Sequence, residues 1–178
     1  TLEAVSGRIV FCFPKSEMLL CMRVPGERLY FIWYRSIPPE SLPDFFTDSK
    51  GHNHGVSIPP PLIRPQLIAE MKAHARGVLP AAIAPVVEKT EQPLLQAISD
   101  MESPRMTFGR VALLGDAAFV VRPHVAGGAG KAAMDARCLV DSLKNEQIEA
   151  ALALYEKTQH DFGTRIVKHS RYLGADLE

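Results

Sequence analysis

The chain has 178 residues, enough for one domain and hardly two. Hydrophobic residues make up 47%, which allows a real core and argues against disorder. Basic and acidic residues number 20 each, a formal net charge of zero, and a nucleic-acid binder usually carries a basic surplus.

Three strands are predicted first, at 8–13 (RIVFCF), 17–24 (EMLLCMRV) and 28–36 (RLYFIWYRS). Pro14-Lys15-Ser16 and Pro25-Gly26-Glu27 supply the turns between them, giving an antiparallel meander. On the third strand Tyr30, Ile32 and Tyr34 share one face, and Phe31, Trp33 and Arg35 the other. Residues 37–65 hold seven prolines and the run SKGHNHG, so they read as a long functional or mobile loop. His52 and His54 have no obvious third ligand there and read as solvated rather than metal-binding. A helix is predicted over Gln66–Arg76 with Gly77 as its cap, then a short helix within 80–89 opened by Pro80. Strands are predicted at 93–101 and, more strongly, at 109–115 (GRVALLG), apolar throughout like a strand covered on both faces. A helix from Gly128 to Lys144 carries Ala132, Ala136, Leu139, Val140 and Leu143 on one stripe. A last helix runs from near Glu146 to Leu173, with Gly163 as a candidate interruption.

No apolar stretch approaches the roughly 20 residues of a membrane span, and no leader pattern opens the chain. The start, TLEAVSGRIVF, lacks Met and runs almost at once into a strand, so it reads like a cut end. Cys12, Cys21 and Cys138 are odd in number and lie in apolar contexts. They read as buried free thiols of a reducing, cytoplasmic compartment.

Residues 109–135 carry the chemistry: an apolar run ends in Gly115-Asp116, and a loop with Pro123 and several glycines then opens into an alanine-rich helix. Gly130-Lys131 invites comparison with the triphosphate loop G-x-x-x-x-G-K-[ST], but Val125 stands at the first glycine and Ala132 at the hydroxyl, so that reading fails. Gly127, Gly128 and Gly130 strip side chains from a helix start, leaving N–H groups and the positive end of the dipole facing outward. Lys131 is a cation in the first turn, where the dipole disfavours one; a nearby negative or electron-rich group would reconcile the two. The competing reading is a close helix–strand crossing with Lys131 reaching out to water. Asp116 stands at the carboxyl end of a strand, where α/β folds bind ligands, and a polyol would supply donors to it. Its competing role is to cap the next turn.

The run GRVALLGDAA, then Pro123, then GGAGKAAMDA resembles the second FAD-binding motif of the FAD-dependent aromatic-ring monooxygenases, the para-hydroxybenzoate hydroxylase-like group. The extended run GDAAFVVRPHVAGGAGKAAMDA looks most like the 2,6-dihydroxypyridine hydroxylase branch, as do FIWYR and QAISDMESPRMTFGR. The resemblance implies an α+β / α/β chain. An antiparallel substrate-domain sheet (1–105) is followed by the C-terminal strand–loop–helix part of a split FAD-binding domain (106–178). It implies that Gly115, Asp116, Pro123, Gly128, Ala129 and Gly130 bind FAD. Asp116 would take the ribityl hydroxyls, Pro123 would lie beside the isoalloxazine, and the amides near Ala129 and Gly130 would face N1 and the C2 carbonyl. Many relatives have His where this chain has Phe119, so that side chain's role is not carried over. The family's opening strand and G-x-G-x-x-G are missing here, so the chain reads as the C-terminal half of a longer enzyme.

That enzyme would use NADH or NADPH, FAD and O2 to hydroxylate a phenol or hydroxypyridine-like ring, the protein orienting the ring and excluding water. Tyr34 and His124 are the candidate catalytic residues, Tyr34 through a hydrogen bond to the substrate oxygen and His124 at the reactive edge of the flavin. The implied partners are a small aromatic or heteroaromatic substrate and the missing N-terminal half, with a homodimer left open and no nucleic acid or membrane. The alternative is a non-catalytic binding or interaction module that keeps the fold without the cofactor. Dehydrogenating and epoxidising relatives share the scaffold, so fold does not fix the reaction.

Overall fold

Turn residues set the first three strands of the computed structural model, which describes residues 3–175. Ser16, Gly26 and Glu27 take positive φ at the two reversals. These close β1 (Val10–Cys12) on β2 (Glu17–Val24), and β2 on β3 (Arg28–Arg35), in an antiparallel meander. After a short α1 (Leu42–Phe45) and β4 (Ser57–Ile58) come α2 (Pro65–Val78), α3 (Ala84–Glu88) and β5 (Leu95–Gln96), which pairs with β4. Cys12, Leu19 and Cys21 line one sheet face and pack against Ala75, Leu79, Ile83, Ala84 and Val87. The three cysteines are free, and burial raises the pKa of the Cys12 and Cys21 thiols. The expected cap at Gly77 is corrected: α2 runs through that glycine and ends at Val78.

Alternation along β3 divides its aromatic residues. Trp33 lies on the helix side, where it stacks on His74 at 5.4 Å and donates its indole N–H to Glu17 at 2.9 Å. Arg35 follows it there, its guanidinium 5.1 Å from the Trp33 ring centre. Tyr34 belongs to the other face and is itself buried.

The proline-rich stretch is organised around an acid. Asp48 Oδ1 accepts the backbone N–H groups of Lys50 and His52, and Oδ2 accepts the ring N–H of His54 at 2.8 Å. His54 is therefore corrected from solvated to hydrogen-bonded, while His52 remains mostly exposed.

The chain divides into two compact units, the first closing at Ala97 and the second opening at Ile98. Asp100 and Glu102 belong with the second because both pair with Arg171. That unit holds β6 (Met101–Glu102), β7 (Thr107–Phe108), β8 (Val111–Ala112), β9 (Phe119–Val120), α4 (Gly128–Asn145) and α5 (Ile148–Gly174). Its core is Met106, Ala118, Phe119, Tyr155 and Val167.

Three local expectations change here. The strand expected at 93–101 is two short strands in different sheets, β5 and β6. The run 109–115 is not a long covered strand. Gly109, with φ +60°, turns β7 back into β8, and Val111 is 58% exposed. An all-apolar strand needs cover on both faces, and among the described residues β8 pairs only with β7. The expected apolar stripe of α4 is buried only in part: Ala132, Ala136 and Leu139 are half-buried, and Leu139 packs on the core of this unit. Lys131, Asp135 and Ser142 are buried, whereas Val140 and Leu143 are 48% and 44% exposed.

Gly163 does not interrupt α5. A Cβ there would come within 2.5 Å of the Phe119 ring, so the missing side chain is the notch that admits this aromatic.

Candidate functional site: the Gly-Asp turn and the start of α4

Gly115–Ala117 form a 3-10 turn behind β8. Gly115 has φ +59°, a region that disfavours any Cβ, and a Cβ would also meet that of Ala132 at 3.2 Å. The glycine thus lets the turn sit directly against the first turn of α4. Asp116, next in line, is exposed.

Pro123–Val125 make another 3-10 turn, and Ala126 then adopts the left-handed conformation before Gly127 starts α4. The first helical hydrogen bond runs from Lys131 N–H to Gly127 O at 2.8 Å. Gly128, Ala129 and Gly130 precede it, so their N–H groups have no earlier helical carbonyl, and Gly127 at the N-cap position has no side chain to cap them. Ala129 and Gly130 are exposed, and among the described residues no atom outside the adjoining helix backbone lies within 4 Å of where a Gly130 Cβ would be. Gly127 and Gly128 do a different job, because their Cβ positions would touch Ile166 and Val121. The result is an exposed acid on a turn that packs against α4, and a helix start whose first amides are without a cap from Gly127.

Lys131 does not reach out to water. It is 2% exposed and its ammonium bonds Asp135, one turn on, at 2.6 Å. Asp135 is the negative group that a first-turn cation calls for. The i,i+4 spacing was its visible signal in the sequence. The ammonium also lies 5.2 Å from the Phe119 ring centre, so Phe119 fills a core position between α4 and α5.

His124 was expected beside the reactive edge of a flavin. Its ring is half-buried and seated on the last turn of α5, where a Gly174 Cβ would come 2.9 Å from Nδ1. The sequence reading missed this contact with Gly174. Tyr34 belongs to the first unit, where burial, with a smaller effect of Tyr30, raises its pKa. Pro123 is exposed at the head of its turn.

A family model described as FAD binding domain-like matches residues 6–100, and one described as FAD binding domain matches residues 69–170. This chain belongs to the FAD-binding domain family. A 2,6-dihydroxypyridine 3-monooxygenase of Paenarthrobacter nicotinovorans is 28% identical over 169 residues, 90% of this chain and 42% of that protein. The chain therefore spans less than half the length of this curated relative. The solved 2,6-dihydroxypyridine-3-hydroxylase from Arthrobacter nicotinovorans has a TM-score of 0.85 at 24% identity, over 96% of this chain and 45% of that one. Klebsiella pneumoniae HpxO, solved with FAD and uric acid, has a TM-score of 0.74 at 22% identity, over 97% of this chain and 41% of that one. The fold is that of FAD-dependent aromatic-ring monooxygenases, and the likeness extends to the 2,6-dihydroxypyridine hydroxylase branch. No helix among the described residues is long and apolar enough to cross a membrane.

Proposed function

We propose that this FAD-binding chain is part of a flavin-dependent monooxygenase that hydroxylates an electron-rich aromatic or heteroaromatic ring, a phenol or hydroxypyridine. The single observation that supports this best is the packing of the Gly115–Ala117 turn, which carries exposed Asp116, against α4, whose first amides have no cap from Gly127. A carboxylate there accepts hydrogen bonds from a polyol such as a ribityl chain. The outward amides and the positive end of the α4 dipole favour an electron-rich ring edge that gains negative charge on reduction. The space before Gly130 admits a planar edge that any side chain would block. Pro123 supplies an apolar wall with no competing donor. The residues present therefore fit the flavin end of FAD.

When bound, FAD would supply the redox chemistry of the hydroxylation, with NADH or NADPH as the reductant and O2 as the oxidant, one oxygen atom going to the ring and the other to water. The protein's part is orientation, exclusion of water and control of protons. Tyr34 suits a substrate contact: a tyrosine hydroxyl is protonated at neutral pH and able to donate to a phenolate-like oxygen, and burial raises its pKa further. Trp33 and Arg35 are occupied on the helix side of the sheet. Three free cysteines agree with a reducing, cytoplasmic setting.

The test is to purify the complete gene product and titrate FAD by flavin fluorescence. Asp116→Ala is expected to weaken FAD binding about 10- to 100-fold, the loss typical of hydrogen bonds to a charged group. NAD(P)H oxidation that depends on a hydroxypyridine, with equimolar hydroxylated product, is expected of the unsubstituted protein. Unchanged FAD affinity in Asp116→Ala would remove the site.

A further inference from the structure

Lys131 and Asp135 are buried at the root of this site, facing the Gly115 turn rather than any ligand. We infer that they are positioning residues: the pair grips both polar groups of Gly115 and thereby holds Asp116 in its ligand-binding place, an inference that rests on the FAD reading above.

The geometry is specific. Asp135 Oδ2 receives the Lys131 ammonium at 2.6 Å and the Gly115 N–H at 2.8 Å. The same ammonium donates to the Gly115 carbonyl at 3.3 Å. One residue of the turn is thus bound at its N–H and at its C=O by two side chains one helical turn apart. A third bond fixes the approach, since Tyr155 on α5 donates its hydroxyl to Leu113 O at 2.7 Å. Residues 113 and 115 are anchored from two helices, and Asp116 emerges directly behind them.

A stability role alone explains this arrangement poorly. Both side chains are almost wholly buried, and Asp135 Oδ1 has no hydrogen-bond partner among the described residues. Replacing a buried ion pair by well-packed apolar residues often leaves stability unchanged or raises it. The pair gives directional bonds that apolar residues lack, at a turn whose backbone is left-handed and must keep one register. The charges also cancel beneath the helix start. The lysine therefore works inward, while the dipole of α4 remains the outward-facing positive element.

The experiment uses Lys131→Leu/Asp135→Leu, which removes both charges together, with Asp135→Asn as the milder change. Amide hydrogen exchange in the 178-residue chain is read at Gly115 and Asp116 and compared with amides in the middle of α5. The expected result is at least tenfold faster exchange at the turn, with α5 unchanged. In the complete gene product the FAD dissociation constant rises at least tenfold. A folded variant whose turn exchanges within twofold of the unsubstituted chain overturns the inference. So does a loosened turn with unchanged FAD affinity, which leaves the FAD reading standing. Absence of FAD binding by the unsubstituted gene product removes the FAD reading and the inference with it. If neither variant folds, the Lys131 ammonium of the unsubstituted chain decides. A slowly exchanging NH3+ resonance close to Gly115 supports the clamp, and a freely exchanging one overturns it.

Discussion

His124 shows how neighbouring residues in sequence can serve different ends. It directly follows Pro123, yet its ring is seated against Gly174. A packing contact of this kind steadies the turn that carries Pro123. His124→Ala is therefore expected to lower FAD affinity and hydroxylation by similar factors in the complete gene product. A much larger fall in turnover than in affinity would instead support the imidazole as a catalytic residue. Asp48 makes a second point about single side chains. Hydrogen bonds from His54, then from His52 and Lys50, pull its carboxyl down from 3.8 to about 2. A depressed folded pKa contributes stability above the unfolded value and loses it as pH falls through the folded value. Acid should therefore weaken the first unit between about pH 4 and about pH 2. Asp48→Asn should flatten that part of the urea-midpoint profile, and an unaltered profile would assign the acid sensitivity elsewhere.

At the level of helices, α4 and α5 are matched by small residues and one aromatic. Phe119 enters the Gly163 notch, meets His160 edge-on at 5.3 Å and carries the Lys131 ammonium over its face. Gly163→Ala would ordinarily gain about 1 kcal/mol of helix propensity. Here the new methyl would overlap a fully buried ring, and overpacking costs about 1–3 kcal/mol. A net loss of about 1 kcal/mol or more is expected in urea unfolding of the second unit. Combining it with Phe119→Leu should cost less than the two single changes summed, because the residues share one space. Strict additivity would mean that the ring moves away freely.

For the molecule as a whole, the candidate site proposed here would take only the flavin end of FAD. The sequence contains no G-x-G-x-x-G to hold the pyrophosphate, and the chain covers 42% of its dihydroxypyridine monooxygenase relative. We expect the 178-residue chain by itself to purify without stoichiometric flavin, and the complete gene product to purify yellow. Absorbance near the flavin maximum of the purified chain measures this directly. A full equivalent of FAD retained by the chain would show that the turn and helix start suffice.

Much was legible in the amino-acid sequence because it is local. Turn residues at 14–16 and 25–27 determined the meander, and the glycines at 127, 128 and 130 determined where α4 starts. The Gly-Asp turn and its family likeness were visible for the same reason: backbone chemistry concentrated in a short run. Other features depend on residues brought together from far along the chain, and only the tertiary structure decided them. It buried Lys131 rather than Val140, because Asp135 neutralises the lysine and the Gly115 peptide satisfies both side chains. It turned His124 toward α5, made a notch of Gly163 and tied a proline-rich loop around Asp48. Periodicity reports which residues share a face. Which face is buried depends on partners that periodicity does not contain.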